Sequence, residues 1–205
     1  MKRKILVMIC SLLLCVAAFF GFGHDADARI IYTTNDKTNA VAEKIIKRCT
    51  NDKMTQEQKL KAVYEYLVRN MRYSWSTGRT RIKVTKKEIA QTKALGKKLK
   101  VARSREFKNR FKNVATLQGT CYGQNKVFCI LANHLGYTAH MVHGTHVTAA
   151  GHSDHYWCYL YIKGKKRYFD VQAANRTYKH NKHSKELKVL YMGSKKSRYW
   201  RKHYQ

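Results

Sequence analysis

Residues 119–170 read GTCYGQNKVFCILANHLGYTAHMVHGTHVTAAGHSDHYWCYLYIKGKKRYFD and carry a cysteine, a histidine and an aspartate on three successive predicted elements. Cys121 opens an apolar stretch with helical spacing, His155 lies in a strand-like run, and Asp170 ends the next such run. A thiol in the first turn of a helix lies near unpaired backbone N–H groups and the positive end of the helix dipole, which favour the thiolate. The three residue types are those of a nucleophile, its base and the group that orients the base.

The same stretch contains further residues at characteristic spacings. They are Gly119-Thr120-Cys121, Phe128, Leu131, Leu135-Gly136-Tyr137, Val142, Gly144, His155-x-Trp157, Gly164 and Tyr168-Phe169-Asp170. This set resembles the core of the transglutaminase-like superfamily. The resemblance implies an α+β fold with a papain-like core, in which N-terminal helices and the cysteine-bearing helix pack on an antiparallel β-sheet. It also implies that Cys121 is the nucleophile, His155 the base and Asp170 its partner.

The chain departs from the family pattern close to these three residues. Gln124 and Asn125 stand where the family usually has an aromatic residue and then an alanine, and Tyr156 stands where it prefers glycine or alanine. The pair Val171-Gln172 replaces a frequent Pro-Thr. We expect these side chains to pack beside the cysteine and the histidine and to affect their geometry.

The identity of the base has an alternative in the sequence, because His152 lies close to His155. Strand alternation favours His155, since it places Trp157 on the same face and Tyr156 on the other. Five other histidines are predicted to be surface residues rather than ligands. They are His140, His143, His146, His180 and His183.

The role of Cys121 also has an alternative, a buried structural thiol. If it is the nucleophile, the reaction needs N–H donors for the oxyanion. The backbone amide of Cys121 is the natural donor, and Gln118 is the candidate for the second.

The N-terminus has the three parts of a secretory signal peptide. Lys2-Arg3-Lys4 is basic, residues 5–20 are apolar, and Ala26-Asp27-Ala28 has the small-x-small pattern of a cleavage site. We therefore expect residues 1–28 to be removed and the mature chain to begin at Arg29, without a membrane span, outside the cell or in its envelope. The alternative is that the apolar segment is retained as a membrane anchor.

Residues 29–205 have no linker-like composition and are predicted to form one transglutaminase-like domain, with the core motif at 119–172. The segment 35–49 and the capping-box sequence Thr55-x-x-Gln58 predict two N-terminal helices. Residues 162–165 predict a hairpin turn. Four cysteines outside the signal are too few for a disulfide framework, and no C-x-x-C pair, calcium loop or cofactor motif occurs. We expect neither a metal nor a cofactor.

The chain is strongly basic, with a formal net charge of +30. Fourteen lysines and arginines fall between residues 76 and 116, where only Glu88 and Glu106 are acidic. This basic segment predicts two broken amphipathic helices inserted beside the core. Its charge is compatible with solvated helix faces, with a surface for anionic polymers or membranes, or with a cover over the active site. Nucleic acid is disfavoured as a partner, because no recognised module motif is present and the chain carries an export signal.

Two functions follow from these patterns. The first is a secreted thiol enzyme that acts on amide or peptide bonds of a protein or peptide through Cys121, His155 and Asp170, by acyl transfer or hydrolysis. The alternative is a catalytically inactive transglutaminase-like module that binds anionic cell-envelope polymers or a partner protein.

Overall fold

The computed structural model describes residues 29–76, 78–180 and 185–205. The predicted signal segment, residues 1–28, and His183 lie outside the described residues. Within the described ranges, no helix combines the length and the apolar character that a bilayer crossing requires.

The N-terminal part of the chain forms two helices between short strands. In order these are β1 (Ile31–Thr33), α1 (Asp36–Cys49), α2 (Gln56–Asn70) and β2 (Arg72–Tyr73). Asn35 caps α1 by accepting from the Thr38 N–H, and the predicted capping box of Thr55 and Gln58 starts α2. Both predicted helices are confirmed, because their start signals and their apolar spacing are local in the sequence.

The basic segment differs from its prediction. It contains α3 (Lys86–Lys98), β3 (Ala102–Ser104), a 3-10 turn (Lys108–Arg110) and α4 (Phe111–Thr116), and β4 (Gln118–Gly119) follows. The prediction of two broken helices missed a strand, since β3 pairs in parallel with β1. That pairing joins residues about seventy positions apart, so nothing local in the sequence announces it.

The core of the fold is one buried helix against an antiparallel sheet. After α5 (Cys121–His134) come β5 (Ala139–Thr148), β6 (Gly151–Ile162) and β7 (Lys165–Phe169), and β6 is the central strand. The apolar residues of α5, such as Val127, Phe128 and Leu131, are fully buried because the helix packs on β5 and β6. The predicted hairpin turn joins β6 to β7, with Lys163 and Gly164 at positive φ.

The C-terminal part adds three helices, α6 (Val171–His180), α7 (Glu186–Val189) and α8 (Arg198–His203). The segment after α8 pairs with β5, since Thr145 and Gln205 exchange two backbone hydrogen bonds of 2.8 and 3.0 Å. The stacked rings of Trp200 and Tyr204 are buried there. The whole arrangement is the predicted α+β fold, with helices packed around an antiparallel sheet.

Candidate active site

Cys121 is the first residue of α5 and lies half-buried in the wall of an open cleft. Three earlier helices are capped by side-chain oxygens, from Asn35, Thr55 and Thr85. Thr120, by contrast, makes no side-chain cap at the start of α5. The N–H groups of the first turn of α5 are therefore not taken up by a side-chain cap, and the Tyr122 N–H contributes to lowering the pKa of the Cys121 thiol.

The backbone before Cys121 is fixed by two side-chain amides. Asn113 donates to the Gln118 carbonyl at 2.8 Å, and Gln124 donates to the Gly119 carbonyl at 2.9 Å. A Cβ at Gly119 would lie 3.0 Å from Asn113 Nδ2 and from Gly123 Cα, so a larger residue here would require these neighbours to shift. The entry into α5 is thus held by polar contacts and close packing.

His155 and Asp170 form a buried pair. His155 Nε2 lies 2.6 Å from Asp170 Oδ2, and the two residues are 4% and 0% exposed. His155 projects from β6, and Asp170 lies directly between β7 and α6. Because Nε2 is engaged by the carboxylate, Nδ1 is the ring nitrogen left to face the Cys121 thiol.

The Asp170 carboxylate accepts three further hydrogen bonds. Tyr204 donates its hydroxyl to Oδ2 at 2.8 Å, while the Asn125 amide and the Ala173 N–H donate to Oδ1 at 3.2 and 2.9 Å. Burial alone would raise the pKa of this carboxyl, but His155 and these donors outweigh it, so the pKa is lowered. Asp170 is therefore an anion at neutral pH despite complete burial.

The thiol and the imidazole shift each other's pKa in opposite directions. Burial opposes the charged form of each, yet the hydrogen bond to His155 and the Tyr156 N–H lower the pKa of the Cys121 thiol. Burial also opposes protonation of His155, but Asp170 and Cys121 raise the pKa of its imidazole. Both shifts favour a thiolate–imidazolium pair over the neutral thiol and imidazole.

The cleft that exposes Cys121 has a volume of about 470 Å³. Its lining comes from three parts of the fold: Tyr73 after α2, Ser153 and Asp154 before His155 on β6, and α6. The α6 residues that line it are Gln172, Asn175, Arg176, Lys179 and His180. The cleft is open to solvent, so an extended chain has access to the thiol.

The structure agrees with the choice of His155 over His152, but it buries one histidine that was predicted to lie on the surface. His152 is exposed on the β5–β6 hairpin, and His155 rather than His152 is the histidine next to Cys121. His146 was predicted to be on the surface but is only 6% exposed, with its ring 5.0 Å from that of His155. It is buried because the C-terminal segment pairs with β5 and places Tyr204 over it.

Two residues that hold the site were not identified as functional in the sequence. Tyr204 lies in the C-terminal tail, far from Asp170 in the sequence. The only signal for this region in the sequence is the basic, aromatic composition of the tail. Asn125 was noticed only as a departure from the family pattern. It bridges Asp170, the Tyr156 carbonyl at 2.8 Å, the Cys121 carbonyl at 3.1 Å and the Val171 N–H at 2.9 Å.

The other predicted groups have simpler surroundings. The side-chain carbonyl of Gln118 accepts a hydrogen bond from the Gly78 N–H, so Gln118 reaches across to the loop after β2. Cys49, Cys121, Cys129 and Cys158, the cysteines of the described part of the chain, are all free thiols. In the same described ranges, no group of three or more histidine, cysteine, aspartate or glutamate side chains is arranged to hold a metal ion.

A family model described as the transglutaminase-like superfamily matches residues 39–173, which include Cys121, His155 and Asp170. A solved structure described as the crystal structure of a TGase is similar, with a TM-score of 0.44 and 18% sequence identity over 66% of this chain. The match covers 31% of that protein, so this chain spans about a third of its length.

A comparison with the curated proteins gave no significant match. The family model alone covers well over half of the chain and extends from α1 to the start of α6. The chain therefore belongs to the transglutaminase-like superfamily.

Proposed function

We propose that the protein is a thiol enzyme that transfers or hydrolyses acyl groups of carboxamides or peptide bonds, with Cys121 as nucleophile, His155 as acid and base, and Asp170 as its orienting partner. One observation carries the proposal: Cys121 lies at a helix start that has no side-chain cap, next to the buried His155–Asp170 pair. Membership of the superfamily supports the same reaction class.

In the first half of the reaction the Cys121 thiolate attacks the carbonyl carbon and forms a carbon–sulfur bond. The N–H of Cys121 itself, at the first turn of α5, is a candidate donor to the oxyanion that develops. The carbon–nitrogen bond then breaks as His155 gives its proton to the departing amine. A thioester and a neutral imidazole remain.

In the second half an amine or a water molecule attacks the thioester. His155 takes a proton from this nucleophile, the carbon–sulfur bond breaks, and the thiolate–imidazolium pair is restored. Asp170 stays ionised throughout and holds the imidazole through Nε2. An amine acceptor yields a crosslink or a modified amide, and water yields a carboxylic acid.

The test is turnover of a glutamine-containing peptide with a fluorescent primary amine, with ammonia release measured in parallel. Wild-type protein should show one or both products, and Cys121→Ala should show neither. Asp170→Asn should lose most turnover while it remains folded, because the change misorients the imidazole without opening a cavity. His152→Ala is the matched control and should behave like wild type. Equal activity of Cys121→Ala and wild type would refute the proposal.

We also propose that the protein is exported and that residues 1–28 are removed. The basic, apolar and Ala-x-Ala parts of this segment support the proposal. Protein recovered from outside the producing cell should have Arg29 as its first residue, as read by N-terminal sequencing. Recovery only as full-length chain in the membrane fraction would favour the retained anchor instead.

A second candidate function is binding without catalysis. The net charge of +30, together with the basic segment 76–116, favours attraction to anionic polymers of the cell envelope. A folded wild-type protein that shows no turnover, and in which Cys121 reacts with alkylating probes no faster than the other cysteines, would place this function first.

A further inference from the structure

One face of α6 forms a wall of the cleft. Gln172, Arg176 and His180 follow one another at intervals of four residues, and Asn175 and Lys179 fill the positions between them. This spacing places all five side chains on the same side of the helix. The cleft beside Cys121 is therefore bounded by one helical face with cationic residues at its second and third turns.

The wall is fixed relative to the thiol. The Ala173 N–H donates to Asp170 Oδ1 at 2.9 Å, which ties the start of α6 to the candidate triad. Farther along, the buried amide of Asn175 donates to the carbonyls of Val68 and Met71 at 2.6 and 2.9 Å, at the C-terminal end of α2. Because both contacts are buried, α6 presents its cations at a constant distance from the nucleophile.

The positive charge of this wall is not neutralised. Burial and the nearby charge of Arg72 on β2 lower the pKa of Lys179, so Arg72 adds to this positive charge. Of the carboxylates described by the structure, none lies within ion-pairing distance of Arg72, Arg176 or Lys179. Lys179 donates to the Met71 carbonyl at 3.1 Å. Arg176 is also exposed, and of these two cations it is the closer to Asp170 along α6. Among the described residues, Asp154 is the one carboxylate that lines the cleft, and its side chain is hydrogen-bonded to His143.

Another part of the cleft lining, just after α2, is aromatic. Tyr73 lines the cleft and is 48% exposed, and Trp75, which is 87% exposed, packs against it edge to face with ring centroids 6.1 Å apart. Exposed tryptophan and tyrosine side chains beside a cleft are typical of surfaces that contact a polypeptide. A simple inorganic anion or phosphate polymer makes no use of such side chains.

We propose that the cleft selects acidic peptide segments, in which carboxylates near the reacting carboxamide bind Arg176, with Lys179 and Arg72 adding to the field. This inference rests on the proposed function, because it takes the cleft beside Cys121 as the acyl-donor site. Arg176 lies about 4.5 Å along the helix axis from Ala173, whose N–H donates to Asp170, and this is the span of one to two residues of an extended peptide. The favoured carboxylate is thus a few residues from the bond under attack.

The experiment compares two short peptides, each with one glutamine, that differ only in aspartates or isosteric asparagines on either side of it. Binding is measured by fluorescence anisotropy to the Cys121→Ala protein, and turnover is measured with the wild type. Arg176→Gln should weaken binding of the aspartate peptide by about three- to tenfold, and Arg176→Glu should weaken it further. Binding of the asparagine peptide should not change.

Lys53 supplies the matched control, because it is exposed in the turn before α2, at the opposite end of that helix from the cleft. Lys53→Gln and Lys53→Glu change the net charge by the same amounts and should leave binding of both peptides unchanged. A loss equal to that of the Arg176 variants would mean that only overall charge matters, and it would overturn the proposal.

The binding and turnover measurements together separate this inference from the proposed function. Turnover that is equal for the two peptides overturns the acidic selectivity and leaves the enzyme in place. Binding that depends on Arg176, without any turnover, supports recognition of acidic peptides and refutes the proposed enzymatic function. Tighter binding of polyphosphate than of the aspartate peptide to Cys121→Ala, with the same dependence on Arg176, would overturn the assignment to a peptide.

Discussion

Four donors surround the Asp170 carboxylate, and this explains how a fully buried acid stays ionised. The anion in turn stabilises the His155 imidazolium, and the imidazolium stabilises the Cys121 thiolate. Asp170 therefore acts through its charge and its position, and it does not take a proton from His155. The consequence is a thiol that ionises more readily than an unperturbed one.

This arrangement predicts selective alkylation of Cys121. Iodoacetamide should label it at about pH 6 to 7 faster than the other thiols, because an unperturbed thiol ionises near about 8.5. Burial raises the pKa of Cys49 to about 11 and also raises that of Cys158, while Cys129 is fully buried. Peptide mapping by mass spectrometry after a short exposure measures the site.

His155→Ala should slow labelling of Cys121, because it removes the imidazolium that stabilises the thiolate. His152→Ala serves as the control and should not change the rate, since His152 is exposed on the hairpin. Equal labelling of all four thiols in folded wild-type protein would contradict the ion pair.

Tyr204 predicts a second effect, because its hydroxyl is one of the donors to Asp170. Tyr204→Phe keeps the ring stacked on Trp200 and removes only this hydrogen bond. We expect a loss of about 1–2 kcal/mol in the free energy of unfolding, measured with urea, and slower labelling of Cys121.

Tyr161→Phe is the matched control, because Tyr161 is 50% exposed on β6. It should change neither the unfolding free energy nor the labelling rate of Cys121. A Tyr204→Phe protein that is less stable but labels at the wild-type rate would show that Tyr204 supports the fold without positioning the pair.

The elements with local signals were predictable from the sequence, and those made by distant pairing were not. Apolar spacing predicts α1, a capping box and apolar spacing predict α2, and the sequence Gly119-Thr120-Cys121 predicts the start of α5. Strand β3 depends on β1, and the C-terminal segment depends on β5, so neither has a signal of its own. For the same reason the order of residues predicted Cys121, His155 and Asp170 but not Tyr204.

Asn125 shows how a departure from a family pattern changes one helix. Its side chain joins α5 to β6, through the Tyr156 carbonyl, and to the start of α6, through Asp170 and the Val171 N–H. The family usually has alanine here, which makes no such bonds. The polar residue therefore fastens three elements around the candidate site.

Asn125→Ala installs the usual residue and tests this role. We expect the free energy of unfolding to fall by about 2–4 kcal/mol, because the change leaves several buried polar groups without a partner. Asn109→Ala, at an exposed position of the 3-10 turn, should have little effect. Wild-type stability in Asn125→Ala would mean that water or a rearranged side chain replaces the amide.

For the whole molecule, the ionisation of the site predicts how stability depends on pH. Burial, with the neighbouring His155 charge, lowers the pKa of His146 from its ordinary 6.5 to about 4. Between these two values the unfolded chain binds a proton that the folded chain does not. Stability should therefore fall as pH decreases from about 6.5 towards 4.

His146→Phe tests this acid-side loss, because phenylalanine keeps a ring in the same space and cannot be protonated. The comparison is made in Cys121→Ala protein, so that titration of the thiol does not contribute. Urea unfolding between pH 7 and pH 4.5 should show a smaller loss of stability in the His146→Phe variant. Parallel losses in the two proteins would mean that other groups govern acid unfolding.

The net charge predicts the last effect, which concerns anionic polymers. Lys97, Lys98 and Lys100 are exposed together at the end of α3 and just beyond it, within the basic segment. Binding to polyphosphate should weaken steeply with salt, because each neutralised phosphate releases a counterion. Replacing the three lysines with glutamine should lower the affinity and reduce the slope of log affinity against log salt by up to about 3.

A second triple variant separates a local binding surface from the field of the whole molecule. Lys53, Lys61 and Lys188 are exposed outside the basic segment, and their replacement by glutamine removes the same charge. If the basic segment is the polymer-binding surface, this control should retain most of the affinity and of the salt dependence, because its lysines do not contact the polymer. Equal losses in the two triple variants would mean that polyphosphate responds only to the total charge, and the basic segment would then have no specific role in binding.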